Sequence, residues 1–529
     1  MNLTVVLHLV GRLALFHALL LLAPLAVSLG YQHLHPGHHE PYAFLVAIAA
    51  SAAVGVLLMW RFRLQLDRLG YREGFAIVTL AWTTIAILGS LPYMLVGGTT
   101  ASGQPLALGP IDAFFEAMSG FTTTGASVFT DIEAWGHGIQ FWRCMTQWLG
   151  GMGIIMLAIA ILPSLGAGAY QLMQAEVPGP TADKIAPRVT QTAGILWGVY
   201  LLLTVLQILL LWLPEAWHAD GVWLASDVAY RSDRPHMDLF EATCHAFTTL
   251  STGGFSPRAG SMAEFSPWHQ WVVITFMFLA GMNFLLHWHL LMGRPRELWR
   301  NHEFRHYALW MLGLTLLVVL AVTFIRGHGA GAPVPVSETE PTTVESTIRH
   351  SLFQVLSLGT CCGYATADYD RWPDVARILL VIAMIAGGCV GSTSGGIKQM
   401  RLLLLVKAAF AEVRRLPYPH QVVLVRSGGQ RVSDRVLVQL LSTVSLYLLM
   451  LLVASLLLMC IPGFDFESAF SCAATTAGNV GPGVGSVGPA QNFAWIPDAG
   501  KLLCCALMLL GRLEIYTVIV LLLPAMYRR

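Results

Sequence analysis

Four short segments of the chain could bind a cation, because each offers several oxygen or sulfur donors and then closes on a glycine. They occupy residues 117–125, 246–254, 355–363 and 473–481, and they align with one another without a gap. The candidate ion-binding residues are Thr122, Thr123, Thr124 and Gly125; Ser251, Thr252, Gly253 and Gly254; Thr360, Cys361, Cys362 and Gly363; and Gly478, Asn479, Val480 and Gly481. One such run alone is ordinary turn chemistry, whereas a fourfold repetition indicates a shared task.

The shared task that fits these residues is the coordination of a dehydrated cation. K⁺ needs several oxygen ligands, and rings of backbone carbonyls supply them without placing a full charge in the membrane. Carbonyls can point toward one narrow axis only if the backbone takes unusual dihedrals, and glycine permits φ > 0 at no steric cost. Irregular backbone at membrane depth must be buried in protein or line a cavity. We therefore predict a selectivity filter in which four filter segments, numbered 1 to 4, meet on one axis and alone hold the K⁺.

The elements that position these segments are membrane helices. The chain has 529 residues, of which 55% are hydrophobic and 12% are charged, whereas soluble domains carry roughly 25% charged residues. Apolar runs long enough to cross a bilayer predict ten spans, at residues 5–29, 43–60, 75–96, 142–162, 194–213, 268–292, 307–324, 372–405, 436–460 and 502–523. Two spans lie at the N-terminus, and each filter segment is flanked by a pair of the others.

These spans predict an all-α polytopic membrane protein with four pseudo-symmetric helix–pore loop–helix repeats and two N-terminal transmembrane helices. The predicted division is an N-terminal two-helix domain (1–71), repeat 1 (72–185), repeat 2 (186–300), repeat 3 with an intramembrane loop (301–430) and repeat 4 (431–529). Lys and Arg concentrate in the links after the second span and between the later repeats, whereas residues 97–140 contain neither. This bias predicts that both termini are cytoplasmic and that the pore loops enter from outside.

Short re-entrant helices are predicted just before the filter segments. Asp112, Glu241 and Glu467 would lie near their outer N-termini, where an acidic side chain complements the helix dipole. Four further acids, Asp131, Glu133, Asp368 and Asp370, follow filter segments 1 and 3. They would either concentrate cations at the outer mouth or be solvated loop residues.

The span at residues 372–405 is too long for one crossing, and it is interrupted by a stretch rich in Gly, Ser and Thr. This stretch is either a helix break that ends in a cytoplasmic turn or an intramembrane loop that blocks conduction below the filter. Arg512 and Glu514 lie in an apolar helix, where charges usually face a cavity or a partner. They either form a structural ion pair, or Arg512 projects below the filter and contacts the loop. The candidate gating residues are Gly387, Gly388, Gly391, Ser392, Thr393, Gly395, Gly396, Lys398 and Arg512.

Several motifs resemble the Trk/Ktr/HKT superfamily of K⁺ transporters, and within it the bacterial TrkH/TrkG pore subunits. They lie at residues 72–75, 147–153, 174–180, 251–256, 387–396 and 510–514. The resemblance implies K⁺ uptake across the bacterial inner membrane by a homodimer, with a cytosolic TrkA-like nucleotide-binding subunit as regulator. It also implies K⁺ over Na⁺ selectivity, because position 125 is glycine where Na⁺-carrying relatives have serine. Cys361 departs from the threonine-rich pattern, and sulfur is a poorer ligand for a hard cation.

Other function classes have less support in the sequence. An alternating-access or Na⁺/H⁺-coupled cation symporter would also use broken helices, although such folds usually show two inverted repeats. We expect no enzyme activity, cofactor or nucleic-acid partner, because no nucleophile–base set, phosphate loop or metal-ligand spacing is found. The histidines at positions 33, 35, 38 and 39 are a weak candidate metal cluster. Arg414 and Arg415 are candidates for docking a cytosolic subunit, and they also serve topology.

Overall fold

The computed structural model describes residues 1–34, 38–62, 70–98, 106–153, 189–218, 237–325, 343–417, 424–427 and 430–526. Within these ranges the fold is helical, apart from one antiparallel hairpin of β1 (Arg426–Ser427) and β2 (Gln430–Arg431). Six of the described helices are long and apolar enough to cross a membrane, or eight if each of two bent helix pairs counts as one span. The predicted class of an all-α polytopic membrane protein is therefore confirmed.

The described helices are numbered here in chain order. Those up to filter segment 1 are α1 (Leu3–Leu20), α2 (Leu22–Tyr31), α3 (Glu40–Arg61), α4 (Tyr71–Leu95) and α5 (Pro110–Phe121). Those up to filter segment 3 are α6 (His137–Gly151), α7 (Val189–His218), α8 (Leu239–Leu250), α9 (Pro267–Ala280), α10 (Phe284–Leu291), α11 (Arg296–Arg300), α12 (His302–Phe324) and α13 (Val344–Gly359). The remaining helices are α14 (Asp374–Ile385), α15 (Gln399–Arg415), α16 (Asp434–Met459), α17 (Phe466–Gly478), α18 (Asp498–Arg512) and α19 (Ile515–Ile519). Short 3₁₀ turns cover Gln32–Leu34, Ser261–Glu264, Tyr369–Arg371, Gly485–Val487, Val520–Leu522 and Pro524–Met526.

The pore helices α5, α8, α13 and α17 each end directly at a filter segment, and local sequence determines where they begin. The side chain of Asp238 caps α8 by accepting a hydrogen bond from Glu241 N at 2.7 Å. Thr343 caps α13 and Asp465 caps α17 in the same way. Helix α5 instead begins with Pro110, whose missing N–H costs nothing at the first helical position. These caps fix the outer ends of the short helices that carry the filter.

The second helices of repeats 2 and 4 differ from the prediction. We expected unbroken spans at 268–292 and 502–523, but α9 and α10 are bent by 102° and α18 and α19 by 113°. In repeat 4 the break falls at Glu514, whose φ of 54° cannot continue a right-handed helix. In repeat 2 the backbone groups freed by the break bond to residues 386–398, which separate α14 from α15. The distal part of the predicted span 142–162 and the motif at 174–180 lie outside the described residues.

The predicted boundaries of the four repeats stay a prediction, and matched contacts support the repetition itself. Gln140, the fourth residue of α6, donates from Nε2 to the carbonyls of Ile132 at 3.0 Å and Trp135 at 2.9 Å. Gln270, the fourth residue of α9, donates to carbonyls at the same two sequence separations. The same loop geometry is therefore held by the same residue type in repeats 1 and 2.

The N-terminal helices pack against repeat 1. The buried carboxylate of Glu40, in the first turn of α3, accepts hydrogen bonds from Gly138 N at 3.1 Å and Ile139 N at 3.4 Å. It thereby satisfies free N–H groups at the start of α6. The ring of His17 in α1 lies 5.6 Å from that of Trp142. The two-helix unit therefore supports the helix that follows filter segment 1.

Candidate functional site

The four filter segments form a closed ring. The closing glycine of each segment lies so close to a backbone carbonyl of the next segment that a Cβ atom would overlap the carbonyl oxygen. The pairs are Gly125 with the carbonyl of Gly253, Gly254 with that of Cys362, Gly363 with that of Val480, and Gly481 with that of Thr124. The contacts run from segment 1 through 2, 3 and 4 and back to 1. Residues distant in sequence therefore meet around one axis.

All four segments share one backbone conformation. Counting the last four residues of each segment, which are the candidate ion-binding residues, the second has a positive φ. Its value is 56° at Thr123, 54° at Thr252, 61° at Cys361 and 54° at Asn479. The closing glycines also have positive φ, namely 83° at Gly125, 79° at Gly254, 86° at Gly363 and 97° at Gly481. Positive φ at a threonine is a genuine outlier, and it costs roughly 1–3 kcal/mol per residue. The sequence patterns predicted left-handed backbone at the glycines and missed it at the second position.

Backbone hydrogen bonds tie each segment to its pore helix in a matched way. The N–H of the third residue donates to a carbonyl five residues earlier. The pairs are Thr124 to Ser119 at 2.8 Å, Gly253 to Thr248 at 2.8 Å, Cys362 to Ser357 at 2.7 Å and Val480 to Thr475 at 2.9 Å. The strained residues are thus held by the end of the helix that precedes them.

The pore helices direct their C-terminal, partially negative ends toward the ring, which favours a cation there. The predicted acids Asp112, Glu241 and Glu467 all lie in the first turn of a pore helix. Glu345 takes the equivalent place in α13 and was missed. Lys501 in α18 forms an ion pair with Asp112 at 2.6 Å.

A cavity lies on each side of the ring. The cavity beside the closing glycines, here called the outer cavity, has a volume of about 210 Å³, and its lining includes Gly125, Gly254 and Gly363. The cavity beside Arg512 is called the inner cavity. The inner cavity has a volume of about 140 Å³, and its lining includes Gly151 and Arg512. The ring of filter segments therefore separates two spaces large enough for water.

The four outer acids do not line the described part of the outer cavity, whose charged lining residues are Arg143 and Arg258. Asp131 and Glu133 are exposed, and Asp368 caps a 3₁₀ turn. Asp370 accepts two hydrogen bonds from Gly485 N at 3.2 Å. Burial raises the pKa of Asp370 to about 6. Of these acids, Asp368 and Asp370 therefore have defined contacts within their loops.

Residues 386–398 form a loop that lies directly against the ring. Its ends are joined by a hydrogen bond from Gly387 N to the carbonyl of Ile397 at 3.0 Å. Thr393 Oγ1 donates to the carbonyl of Leu250 at 3.0 Å, at the end of pore helix α8. Ser394 Oγ contacts Cys361 Sγ at 3.5 Å, and Gly395 packs against the carbonyl of Gly478. The loop therefore touches filter segments 3 and 4 and the end of the helix that carries segment 2.

The remaining candidate gating residues build or anchor this loop. Gly391 and Gly396 have positive φ values of 74° and 63°. Gly388 N donates to Ser394 Oγ at 2.8 Å, and Ser392 Oγ donates to the carbonyl of Cys389 at 2.7 Å. Lys398 Nζ donates to the carbonyl of Ser394. Glu303 in α12, which the sequence patterns missed, holds the loop by accepting from Val390 N and Met400 N.

Arg512 joins the filter to the loop. Its guanidinium donates to Thr123 Oγ1 at 3.2 Å and to the carbonyl of Thr393 at 2.9 Å. It also donates to the carbonyls of Gly150 and Gly151, where α6 ends. The contact of Arg512 with the loop that we predicted is therefore present. Glu514 pairs with Arg401 of α15 rather than with Arg512.

The side chains of the filter segments differ more than their backbones do. Cys361 is fully buried against the loop, and Asn479 Nδ2 donates to Thr124 Oγ1 at 3.0 Å. Among the described residues, no group of three or more His, Cys, Asp and Glu side chains could hold a metal ion. Of the predicted histidine cluster, position 35 lies outside the described ranges, and His33 is exposed.

Comparison with known proteins identifies the family. The model of the TrkH family, described as a cation transport protein, matches residues 41–526. The chain belongs to the TrkH family. The Trk system potassium uptake protein TrkH of Escherichia coli (strain K12) is 36% identical over 531 residues and covers 100% of both chains. The TrkG protein of the same organism is 32% identical, with 98% of this chain and 97% of TrkG covered.

A solved structure of the TrkH family has the same overall fold. The crystal structure of the potassium transporter TrkH from Vibrio parahaemolyticus matches with a TM-score of 0.80, and 100% of each chain is covered. The sequence identity in that comparison is 31%. The recognition of this family from the sequence motifs is therefore confirmed.

Proposed function

We propose that this TrkH-family chain carries K⁺ into the bacterial cell across the inner membrane. The ion passes through the ring of filter segments 1 to 4, where backbone carbonyls replace its water shell. The observation that carries the proposal is the closed sequence of contacts between each closing glycine and the next segment's carbonyl. The relatives support K⁺ as the ion, because their names describe potassium uptake.

The proposed gate consists of residues 386–398 together with Arg512. In the described conformation, Arg512 donates to Thr123 of filter segment 1 and to the loop carbonyl of Thr393. A fixed positive charge directly below the filter repels an approaching cation. Opening requires the loop and the guanidinium to move away together. This role explains why a costly charge is kept inside the membrane.

The proposal includes a homodimer, a cytosolic TrkA-like regulatory subunit and cytoplasmic termini. Helix α15 connects the loop to the basic residues Arg414 and Arg415 in its last turn. A subunit that docks on these residues would pull on the loop through one continuous helix. An alternating-access or Na⁺/H⁺-coupled symporter is the second candidate, and the broken helices α9/α10 and α18/α19 are the observation that favours it.

Replacement of Gly125 by serine tests the filter. A serine there must keep a φ of 83° and would place its Cβ against the carbonyl of Gly253. A left-handed non-glycine residue costs roughly 1–2 kcal/mol, so we expect the preference for K⁺ over Na⁺ to fall about tenfold. The assay is uptake of K⁺, Rb⁺ and Na⁺ into proteoliposomes that contain the purified chain.

Gly313→Ser is the matched control, because a Cβ at this exposed position of α12 meets no atom within 4 Å. The control should keep the selectivity of the unmodified protein. Unchanged discrimination in Gly125→Ser would contradict the filter assignment. Ion flux that requires a stoichiometric H⁺ or Na⁺ gradient would favour the symporter.

A further inference from the structure

One buried ion pair stands directly behind the filter. Glu116 of pore helix α5 and Arg143 of α6 are 0% and 1% exposed, and Arg143 Nε lies 2.8 Å from Glu116 Oε1. We propose that this pair sets ion specificity by holding filter segments 1 and 2 at a fixed distance from each other. The inference rests on the proposed function, because it assigns a positioning role toward the proposed filter.

The pair reaches both segments through the residues that follow their closing glycines. The carboxylate of Glu116 accepts from Ser127 Oγ at 3.0 Å and from Val128 N at 3.0 Å. The guanidinium of Arg143 donates to Ser127 Oγ at 3.1 Å and to the carbonyl of Ser256 at 3.3 Å. Ser127 and Ser256 each lie two residues after a closing glycine. The charges therefore bridge equivalent points of neighbouring segments.

Aromatic rings fix the position of the bridging guanidinium. Arg143 Cζ lies 4.5 Å from the ring centre of Phe129 and 4.3 Å from that of Phe255. Phe129 lies four residues after the closing glycine of segment 1, and Phe255 directly follows the closing glycine of segment 2. Cation–π contacts of this kind strengthen when the charge is removed from water. Both rings thus hold the guanidinium of Arg143 at the junction of segments 1 and 2.

The other repeats do not pair a carboxylate with a guanidinium at the positions equivalent to Glu116 and Arg143. The positions equivalent to Glu116 and Arg143 are His245 and Val273 in repeat 2, Gln354 and Leu380 in repeat 3, and Cys472 and Cys504 in repeat 4. In repeat 4 the two buried thiols meet with a distance of 3.6 Å between their Sγ atoms. A buried ion pair usually contributes no more stability than apolar residues of the same volume. The charges of repeat 1 therefore call for a role beyond packing.

Other hydrogen bonds link the segments at the remaining junctions, including the one from Gly485 N to the carboxylate of Asp370 between segments 3 and 4. Tyr364 OH donates to the carbonyl of His245 at 3.1 Å, and Tyr369 OH donates to the carbonyl of Gly483 at 2.8 Å. Phe493 N donates to the carbonyl of Ser127 at 2.9 Å. Charge-assisted hydrogen bonds are roughly twice as strong as neutral ones. The junction of segments 1 and 2 is thus linked by a carboxylate and a guanidinium that both bond to Ser127.

Glu116→Gln tests the proposal, because it keeps the shape of the side chain and removes its charge. A glutamine amide can still accept from Ser127, but it no longer pairs with the guanidinium of Arg143. The measurement is the reversal potential of K⁺ against Na⁺ for the full-length protein in planar bilayers. We expect the K⁺/Na⁺ permeability ratio to fall roughly tenfold, the equivalent of one lost hydrogen bond to a charged group.

Ser127→Ala is the second variant, because it deletes only the hydroxyl that Glu116 and Arg143 share. It should lower the same ratio by a smaller factor, and it decides the question if Glu116→Gln does not fold. The matched control is the double variant Cys472→Ala with Cys504→Ala, at the equivalent positions of repeat 4. This control should leave the ratio unchanged. If the pair has only a structural role, Glu116→Gln should lower the amount of folded protein, and the folded part should keep the reversal potential of the unmodified protein.

Gly125→Ser separates the two ways in which the proposal can fail. If Gly125→Ser lowers the ratio while folded Glu116→Gln and Ser127→Ala do not, the positioning role of the pair is refuted and the filter stands. If none of the three variants changes the ratio, the filter assignment itself is refuted. An equal drop in the Cys472 and Cys504 control would refute a role specific to repeat 1.

Discussion

Replacement of Arg512 by alanine should open the pore in the absence of any regulatory subunit. The guanidinium donates to the loop carbonyl of Thr393 and to Thr123 Oγ1, and it thereby joins the loop to the filter. It also donates to the carbonyls of Gly150 and Gly151, which hold the arginine to the end of α6. Alanine removes the link between loop and filter, and it also removes the positive charge that faces the ion.

The size of the effect follows from the link that is lost. A hydrogen bond to a charged group contributes roughly 1.5–3 kcal/mol. If the closed state loses one such bond relative to the open state, the closed–open equilibrium shifts by roughly ten- to a hundredfold. Arg512 lines the inner cavity, which is large enough for water, so water replaces part of the lost hydrogen bonding. The shift should therefore be near the lower part of this range.

Rubidium uptake into liposomes that contain only the purified chain measures this shift directly. The control is Arg377→Ala, because Arg377 of α14 also bridges elements, through Asp370 and through Glu467 of pore helix α17, but away from the loop and Arg512. Arg512→Lys separates charge from geometry, because lysine keeps the charge and loses the planar fork. Equal uptake by Arg512→Ala and the unmodified chain would refute the gating role. So would an equal increase in Arg377→Ala.

Two further predictions concern charges away from the ring. Burial raises the pKa of Asp370 to about 6, above the ordinary 3.8, so its stabilising contribution is complete below about pH 4 and is lost as pH rises through 6. Asp370→Asn should therefore flatten the fall of Tm with rising pH over that window. Hydrogen bonds from Ser468 lower the pKa of Asp465, so Asp465→Asn should remove a rise of Tm with pH. Parallel curves of Tm against pH for the two variants and the unmodified protein would contradict both predictions. Glu514→Gln breaks the ion pair with Arg401. It should raise basal Rb⁺ uptake and leave the K⁺/Na⁺ selectivity unchanged. A change in selectivity would contradict the assignment of this ion pair to the gate rather than to the filter.

The sequence patterns predicted the backbone of the pore better than its supports. The four filter segments could be found because each keeps the same spacing and the same closing glycine. Left-handed φ at Thr123 and Thr252 could not be found, because threonine normally avoids that region and only the surrounding structure imposes it. The one available signal was Asn479, because asparagine tolerates left-handed backbone. Alignment of the four segments would have extended this prediction to Thr123, Thr252 and Cys361.

Contacts between distant elements were beyond the reach of sequence patterns. Glu116 and Arg143 are separated by 27 residues, and the link from Arg512 to Thr123 spans 389. Neither separation follows a helical period, so only the tertiary structure brings these side chains together. The bends after α9 and α18 were missed for a related reason, because an apolar run has the same composition whether the helix is straight or broken.

The four segments are alike in the backbone of the ring and differ in the side-chain contacts below it. In the ring, all four segments share positive φ at the same two positions, while the residue at the first of these positions is Thr, Cys or Asn, so the common feature is the backbone. Below the ring, Thr123 contacts Arg512 and Cys361 contacts Ser394, so each side chain meets a different partner. Four identical subunits would place four arginines and four loops under one axis, where like charges repel one another. Under the proposed function, a single chain with diverged repeats keeps a ring of equivalent backbone that selects the ion, and it places one arginine and one loop beneath that ring to control passage.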